Sequence, residues 1–232
     1  DTLSRVRCIV RGYFYTALVV AVASLGVTVQ GQRQVIGGGG QTPLSSAVKA
    51  DGLIYVSGAL SAKGDIKEQT KGVLENLGQT LAKSGSSLKN VVSATVYLKN
   101  AADAAAMTEV WREYWPKDAP TRTTIAAELV QGTALVEIAV VAVPDGAERT
   151  VIMPQGWSTA NPYSYAIKTG DTLFMSGLVS RGAKDNNPVE GDVTTQMNTI
   201  FGNAEELLKT AGFAMSDVVA SKVYITCLLY TS

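Results

Sequence analysis

Glu137 is the single charged residue in the run Ala134 to Val143, where nine apolar residues surround it. A carboxylate inside an otherwise buried strand has to be paired, hydrogen-bonded or shifted in pKa. A group placed in that way can orient and deprotonate an attacking water; the other reading is a glutamate pointing outward from an edge strand. Arg122, in Pro120-Thr121-Arg122-Thr123, carries a planar fork that suits an acid, because it gives two parallel charge-assisted hydrogen bonds. The plainer reading is a surface arginine at the start of a strand. Little other chemistry is on offer. The chain has no histidine, which excludes Ser-His-Asp and Cys-His nucleophilic catalysis and His-ligated zinc. Its two cysteines, Cys8 and Cys227, stand near opposite ends, so no disulfide framework or thiolate metal site holds the body together.

The elements that must position these groups are written nearly twice. Ser46 to Leu98 recurs as Tyr165 to Ile225, and a repeat within 232 residues points to two domains. The offset is 119 between Gly58 and Gly177 but 127 between Gln69 and Gln196. Copy two therefore carries eight extra residues, in the polar stretch Arg181 to Gly191, where a surface loop is expected. In copy one, Leu53 to Ser57 reads as a strand entering a Ser57-Gly58 bend. Val73, Leu74, Leu77 and Leu81 share one face of a helix over Ile66 to Ser84, stopped at Gly85. Val91 to Leu98 reads as a second strand. Asn100 can cap a helix through Tyr114 that buries Met107, Val110, Trp111 and Tyr114 and ends at Pro116. Thr123 to Leu129 and Ala134 to Val143 are expected to form a hairpin around Gln131-Gly132. The economical arrangement is an α+β sheet with both helices on one face. Copy two has no counterpart of Arg122 or Glu137 in the given sequence, so the activity is expected to sit mainly in copy one.

The two ends read differently. Residues 1–11 hold three arginines, and Tyr13 to Val29 is an uncharged, mostly apolar run of 17 residues. That pattern predicts a secretory signal peptide over residues 1–30, hence a periplasmic or extracellular protein, with a membrane anchor as the alternative. Residues 31–42 read as a Gly-rich linker, 43–146 as domain 1 and 150–226 as a truncated domain 2. Residues 227–232 depart from the repeat and read as a non-native tail. Lys plus Arg equals Asp plus Glu at 20 each, and without residues 1–30 the remainder is mildly acidic. Such a body is poor footing for nucleic acid, whose binding relies on neutralising phosphates.

Copy one resembles the RidA/YjgF family of enamine and imine deaminases, also called L-PSP endoribonuclease-like. The matching text is Ala47-Val48-Lys49-Ala50, Ile54-Tyr55-Val56-Ser57-Gly58, Val91-Val92, Pro120-Thr121-Arg122-Thr123 and Val136-Glu137-Ile138. It covers most of residues 42–144, and copy two resembles the family over about 157–226. The resemblance implies a chorismate-mutase-like fold, assembly as a trimer or pseudo-trimeric ring, and sites in clefts between units. It implies hydrolysis of 2-imino or 2-enamino acids to 2-keto acids and ammonia, with no cofactor or metal and a small carboxylate substrate. On that pattern Arg122 holds the substrate carboxylate, Glu137 activates water, and Ser57 and Gly58 shape the pocket floor. Two positions depart from it. Leu44 stands where the family has a pocket tyrosine, which copy two keeps as Tyr163, and Thr108 replaces an asparagine on the second helix. A site joining Tyr163 of one copy to Arg122 of another follows if repeats replace subunits. The competing class is a non-catalytic module in which Arg122 only captures a carboxylate; ribonuclease activity is disfavoured by the charge balance.

Overall fold

A computed structural model describes residues 33–38 and 43–225. The expected signal peptide or anchor, the rest of the Gly-rich linker and the tail from Cys227 lie outside these. By contact the chain divides into Asp1–Gln30 and Gly31–Ser232, and both repeats belong to the second unit.

Copy one builds a six-stranded sheet from β1 (Gln34–Ile36), β2 (Ala47–Ala50), β3 (Leu53–Leu60), β4 (Val91–Leu98), β5 (Thr121–Ala126) and β6 (Val136–Ala142), in the order β1-β2-β3-β6-β4-β5. Helices α1 (Ile66–Lys83) and α2 (Ala104–Tyr114) pack on one face of it. Helix α1 starts where Asp65 Oδ1 accepts from the amides of Lys67 and Glu68 while Glu68 Oε2 accepts from the Asp65 amide, a reciprocal cap that satisfies otherwise orphaned donors. Val73, Leu74, Leu77 and Leu81 are fully buried beneath it, at about 1.5–3 kcal/mol each. Gln69, also buried, donates from Nε2 to the carbonyls of Gly64 and Thr133 and accepts from the Leu135 amide. It thereby fixes the entry to β6, the strand that carries Glu137. Asn100 caps the turn leading into α2 through the Ala102 amide at 3.0 Å. Met107, Val110 and Trp111 of α2 are buried, whereas Tyr114 is half-buried.

The expected hairpin does not form. Strand β5 pairs in parallel with β4, and β6 lies antiparallel between β3 and β4. The crossover through α2 carries β5 to the outer edge of β4, where parallel pairing with a helix-bearing connection is natural. The slot between β3 and β4 then offers β6 backbone partners on both sides, which an edge hairpin lacks. A second correction concerns the linker: Gln34–Ile36 is an edge strand on β2, and only beyond it does the chain turn through Gly37 and Gly38 at positive φ.

Copy two repeats the plan in part. Strands β7 (Thr150–Ile152), β8 (Ala166–Thr169) and β9 (Thr172–Met175) form an antiparallel sheet, followed by α3 (Val193–Ala211). The extra residues of copy two form the loop before α3, as expected. Residues Val218 to Ile225 repeat the β4 pattern but form no strand, and Val219 and Val223 stand exposed. The two copies meet where Ile167, Val151 and Phe174 pack on Val92, Val141 and Val143. That contact covers the part of copy one's sheet around Val92, Val141 and Val143, on the face opposite its helices.

Candidate functional site

Arg122 stands second in β5, opposite Ala94 of β4, so it points to the helix side of the sheet. Its guanidinium carbon lies 5.1 Å from the ring centroid of Trp111 in α2 and 5.5 Å from that of Tyr163 in copy two. A cation held against aromatic faces is attracted by the ring quadrupoles. The residue is only 9 % exposed, and its Nε and Nη1 have no hydrogen-bond partner among the described residues. Burial pulls the guanidinium down to about 10, with Tyr163 acting the other way and Arg112 adding to the depression. It therefore keeps its charge at neutral pH with no counter-ion among the described residues. Burial also raises the Tyr163 phenol, with Arg122 and Arg181 opposing, so that hydroxyl is available as a neutral donor.

Copy two seats this arginine through its backbone. The Arg122 amide donates to Ser176 Oγ at 2.9 Å, and Ser176 Oγ donates to the Ser164 carbonyl at 2.7 Å. The Gly177 amide donates to the Arg122 carbonyl at 3.2 Å. A side chain at Gly177 would press on Thr123 at 3.1 Å, so a residue without Cβ lets β5 approach. Trp111 Nε1 donates to the Pro162 carbonyl at 2.9 Å, which anchors the segment bearing Tyr163. Arg112 reaches the Ala160 carbonyl of the same segment at 3.3 Å.

The counterpart surface of copy one is built alike but stands open. Ser57 Oγ donates to the Ser45 carbonyl at 2.7 Å, as Ser176 does to Ser164, and Ser57 and Gly58 are exposed. Beside them lies Glu137, whose carboxylate occupies the space that a methyl on Gly58 would need. Leu44 is 74 % exposed at this end. Thr108 is half-buried on α2, one turn before Trp111.

Of the residues named from the sequence, Arg122 is brought to Tyr163, and Glu137 to Gly58. Arg122 and Glu137 are not brought to each other. Arg122 is level with Ala94 and Glu137 with Tyr97 of β4, three positions apart, so their side chains leave opposite faces of the sheet. With β4 between them the backbones are about 14 Å apart by strand spacing and rise. The sequence reading missed the roles of Trp111, visible only as a buried helix residue, and of Arg112 and Arg181, which carried no signal.

These features define a tandem α+β protein of chorismate-mutase-like fold, with an arginine buried where one repeat meets the other. The family description "Endoribonuclease L-PSP" matches residues 40–144 and 153–229, and the chain belongs to this family, the RidA/YjgF group. The RutC family protein of Pyrococcus abyssi is 39 % identical over 108 residues, 43 % of this chain and 85 % of that protein. The 3-aminoacrylate deaminase RutC of Acinetobacter baylyi is 39 % identical over 108 residues, 43 % of this chain and 86 % of its own. A solved YjgF family member from Neisseria meningitidis is 35 % identical, with a TM-score of 0.46 over 50 % of this chain and 98 % of that one.

Proposed function

We propose that the protein is a cofactor-independent deaminase that hydrolyses 2-imino or 2-enamino acids to 2-keto acids and ammonia. The observation that carries this reading is the buried guanidinium of Arg122, without a partner for Nε and Nη1 among the described residues and held against Trp111 and Tyr163. A substrate carboxylate supplies the anion such a group lacks, and charge-assisted bonds gain strength in a site shielded from water. The deaminase named among the relatives supports the reaction class. An enamino acid first gains a proton at C3 and loses one from nitrogen to become the imine. Glu137 then takes a proton from water as its oxygen joins C2 and passes it to nitrogen, giving a carbinolamine. The new hydroxyl yields its proton through Glu137 to nitrogen as the C–N bond breaks, leaving the 2-keto acid and ammonia.

Because Arg122 and Glu137 leave opposite faces, a complete site on this reading joins the arginine edge of one repeat to the Ser-Gly-Glu surface of another. Copy two already shows how the edge is seated. The exported location expected from residues 1–30 belongs to the same proposal. The separation of the two groups also favours a second reading, a carboxylate-binding module without catalysis. Imine hydrolysis and carboxylate binding by wild type, Arg122→Ala and Glu137→Ala separate the two. The deaminase reading expects turnover lost in both variants with binding kept in Glu137→Ala. Equal turnover in all three sinks it, and binding without any turnover supports the module.

A further inference from the structure

Matched to copy one, copy two presents the neighbours of a strand that its own described residues do not supply. In copy one β6 runs antiparallel between β3 and β4, with α1 laid against it. Strand β9 is the counterpart of β3, Val218 to Ile225 that of β4, and α3 that of α1. The Ser176 amide donates to the Tyr165 carbonyl at 2.8 Å, so Leu173 and Met175 turn their backbone groups away from β8. Among the described residues no other strand pairs with β9. The counterparts Ile54 and Val56 meet Ala142 and Val140 of β6 and are buried, whereas Leu173 and Met175 are half-buried. Ile66 and Leu74 of α1 are 9 % and 0 % exposed; Val193 and Phe201, which stand in their places on α3, are 70 % and 50 % exposed. Gln196 is an independent sign. It donates from Nε2 to the Gly191 carbonyl at 2.9 Å, as Gln69 does to Gly64 at 3.1 Å. Gln69 goes on to hold the Thr133 carbonyl and the Leu135 amide at the entry to β6. Gln196 is exposed, and the matching half of its amide has no partner among the described residues.

We propose that copy two accepts an extended segment of a separate polypeptide, which adds antiparallel to the free edge of β9. Strand addition of this kind draws affinity from main-chain hydrogen bonds and specificity from alternate side chains. The segment has the pattern of β6, whose Val136, Ile138, Val140 and Ala142 are buried while the residues between them are half-buried. Its apolar residues cover Leu173, Met175, Val193 and Phe201, the backbone just before it meets Gln196, and Val218 to Ile225 pairs with its far edge. A second copy of this chain does not fit the role, because its β6 is held on both edges and at its entry by Gln69. The segment uses neither Arg122 nor Glu137, so the proposal stands whether or not the protein is a deaminase.

Fluorescence anisotropy of the full chain with a labelled peptide of sequence Thr133–Val143, carrying added terminal lysines for solubility, tests this, and hydrogen exchange is read on the same complex. The peptide is expected to bind saturably and to slow exchange about tenfold or more at the Leu173 and Met175 amides and across Val218 to Ile225. Gln196→Ala is expected to leave the urea midpoint near wild type and to weaken binding about tenfold, the worth of the hydrogen bonds lost. The same peptide carrying Val140→Pro, which lacks an amide the ladder needs, is expected not to bind. No binding, equal binding of the proline peptide, unchanged affinity in Gln196→Ala, or bound peptide that leaves those amides exchanging as before each overturn the inference. Slow exchange at Leu173 and Met175 in the free chain also overturns it, since the edge would already be closed by the chain itself or by a second copy.

Discussion

Ser176→Ala removes one oxygen from the junction between the copies and should cost far more than the same change at Ser57. Ser176 is 5 % exposed, and its Oγ both accepts the Arg122 amide and donates to the Ser164 carbonyl. Alanine strands a buried N–H, worth about 1–3 kcal/mol, and removes a second bond worth about 0.5–1.5 kcal/mol. The expected loss is about 2–4 kcal/mol. Ser57 Oγ makes the matching bond to Ser45 at the surface, where water replaces it, so Ser57→Ala should cost less than about 1 kcal/mol. Urea denaturation of the full chain measures both, with the slope m expected to stay constant. Carboxylate affinity should fall with Ser176→Ala, since the amide it fixes sets the position of Arg122, and should not change with Ser57→Ala. Equal losses of stability in the two variants would refute the reasoning, because they would mean that the Arg122–Ser176 junction is not formed in solution.

Gly58→Ala places a methyl where the Glu137 carboxylate lies, so deaminase turnover should drop while the urea midpoint stays near wild type; Gly177→Ala, pressing on buried β5, should instead lower the midpoint. Trp111→Phe keeps a ring near Arg122 but loses the bond to Pro162, and should cost about 0.5–1.5 kcal/mol in urea, with faster amide exchange around Tyr163. Arg122 has its folded pKa lowered to about 10, so its charge opposes folding and that cost is relieved as pH rises through this value. Carboxylate binding needs the charged form; titrations should show affinity flat through neutral pH and falling as pH rises through about 10.

Much of copy one was legible because local signals and tertiary demands agree there. The apolar spacing of α1 and the β-rich run of β4 each point to one structure, and the packing uses both faces as the pattern implies. The hairpin was misread because a turn signal at Gln131-Gly132 says only that the chain reverses, not which strand receives it. Partner choice was decided by the vacant slot between β3 and β4. Gln34–Ile36 was hidden by the glycines that follow it, and its pairing depends on β2 rather than on its own composition. Val218 to Ile225 shows the converse, since strand propensity is realised only where neighbours supply hydrogen bonds. The surroundings of Arg122 were half legible. Tyr163 and Arg122 could be named from the repeat, but Trp111 and Arg181 enter through geometry that no spacing encodes.

Duplication has left the two surfaces of the site unequal. Copy two spends its Ser-Gly surface on the arginine edge of copy one, whereas the surface holding Glu137 remains open, with Ser57 and Gly58 exposed beside it. Since Arg122 and Glu137 leave opposite faces of one sheet, bending a side chain does not bring them to one small substrate. Under the proposed reaction, turnover then requires the arginine edge of a second chain, released from that chain's own copy two, to reach Glu137, whereas carboxylate capture by Arg122 does not. Specific deaminase activity should therefore fall on dilution, along the same curve as the oligomer in sedimentation, while carboxylate affinity per chain stays constant. Specific activity that holds steady down to a sedimenting monomer would show that one chain assembles both groups, and the opposed-face argument would fail.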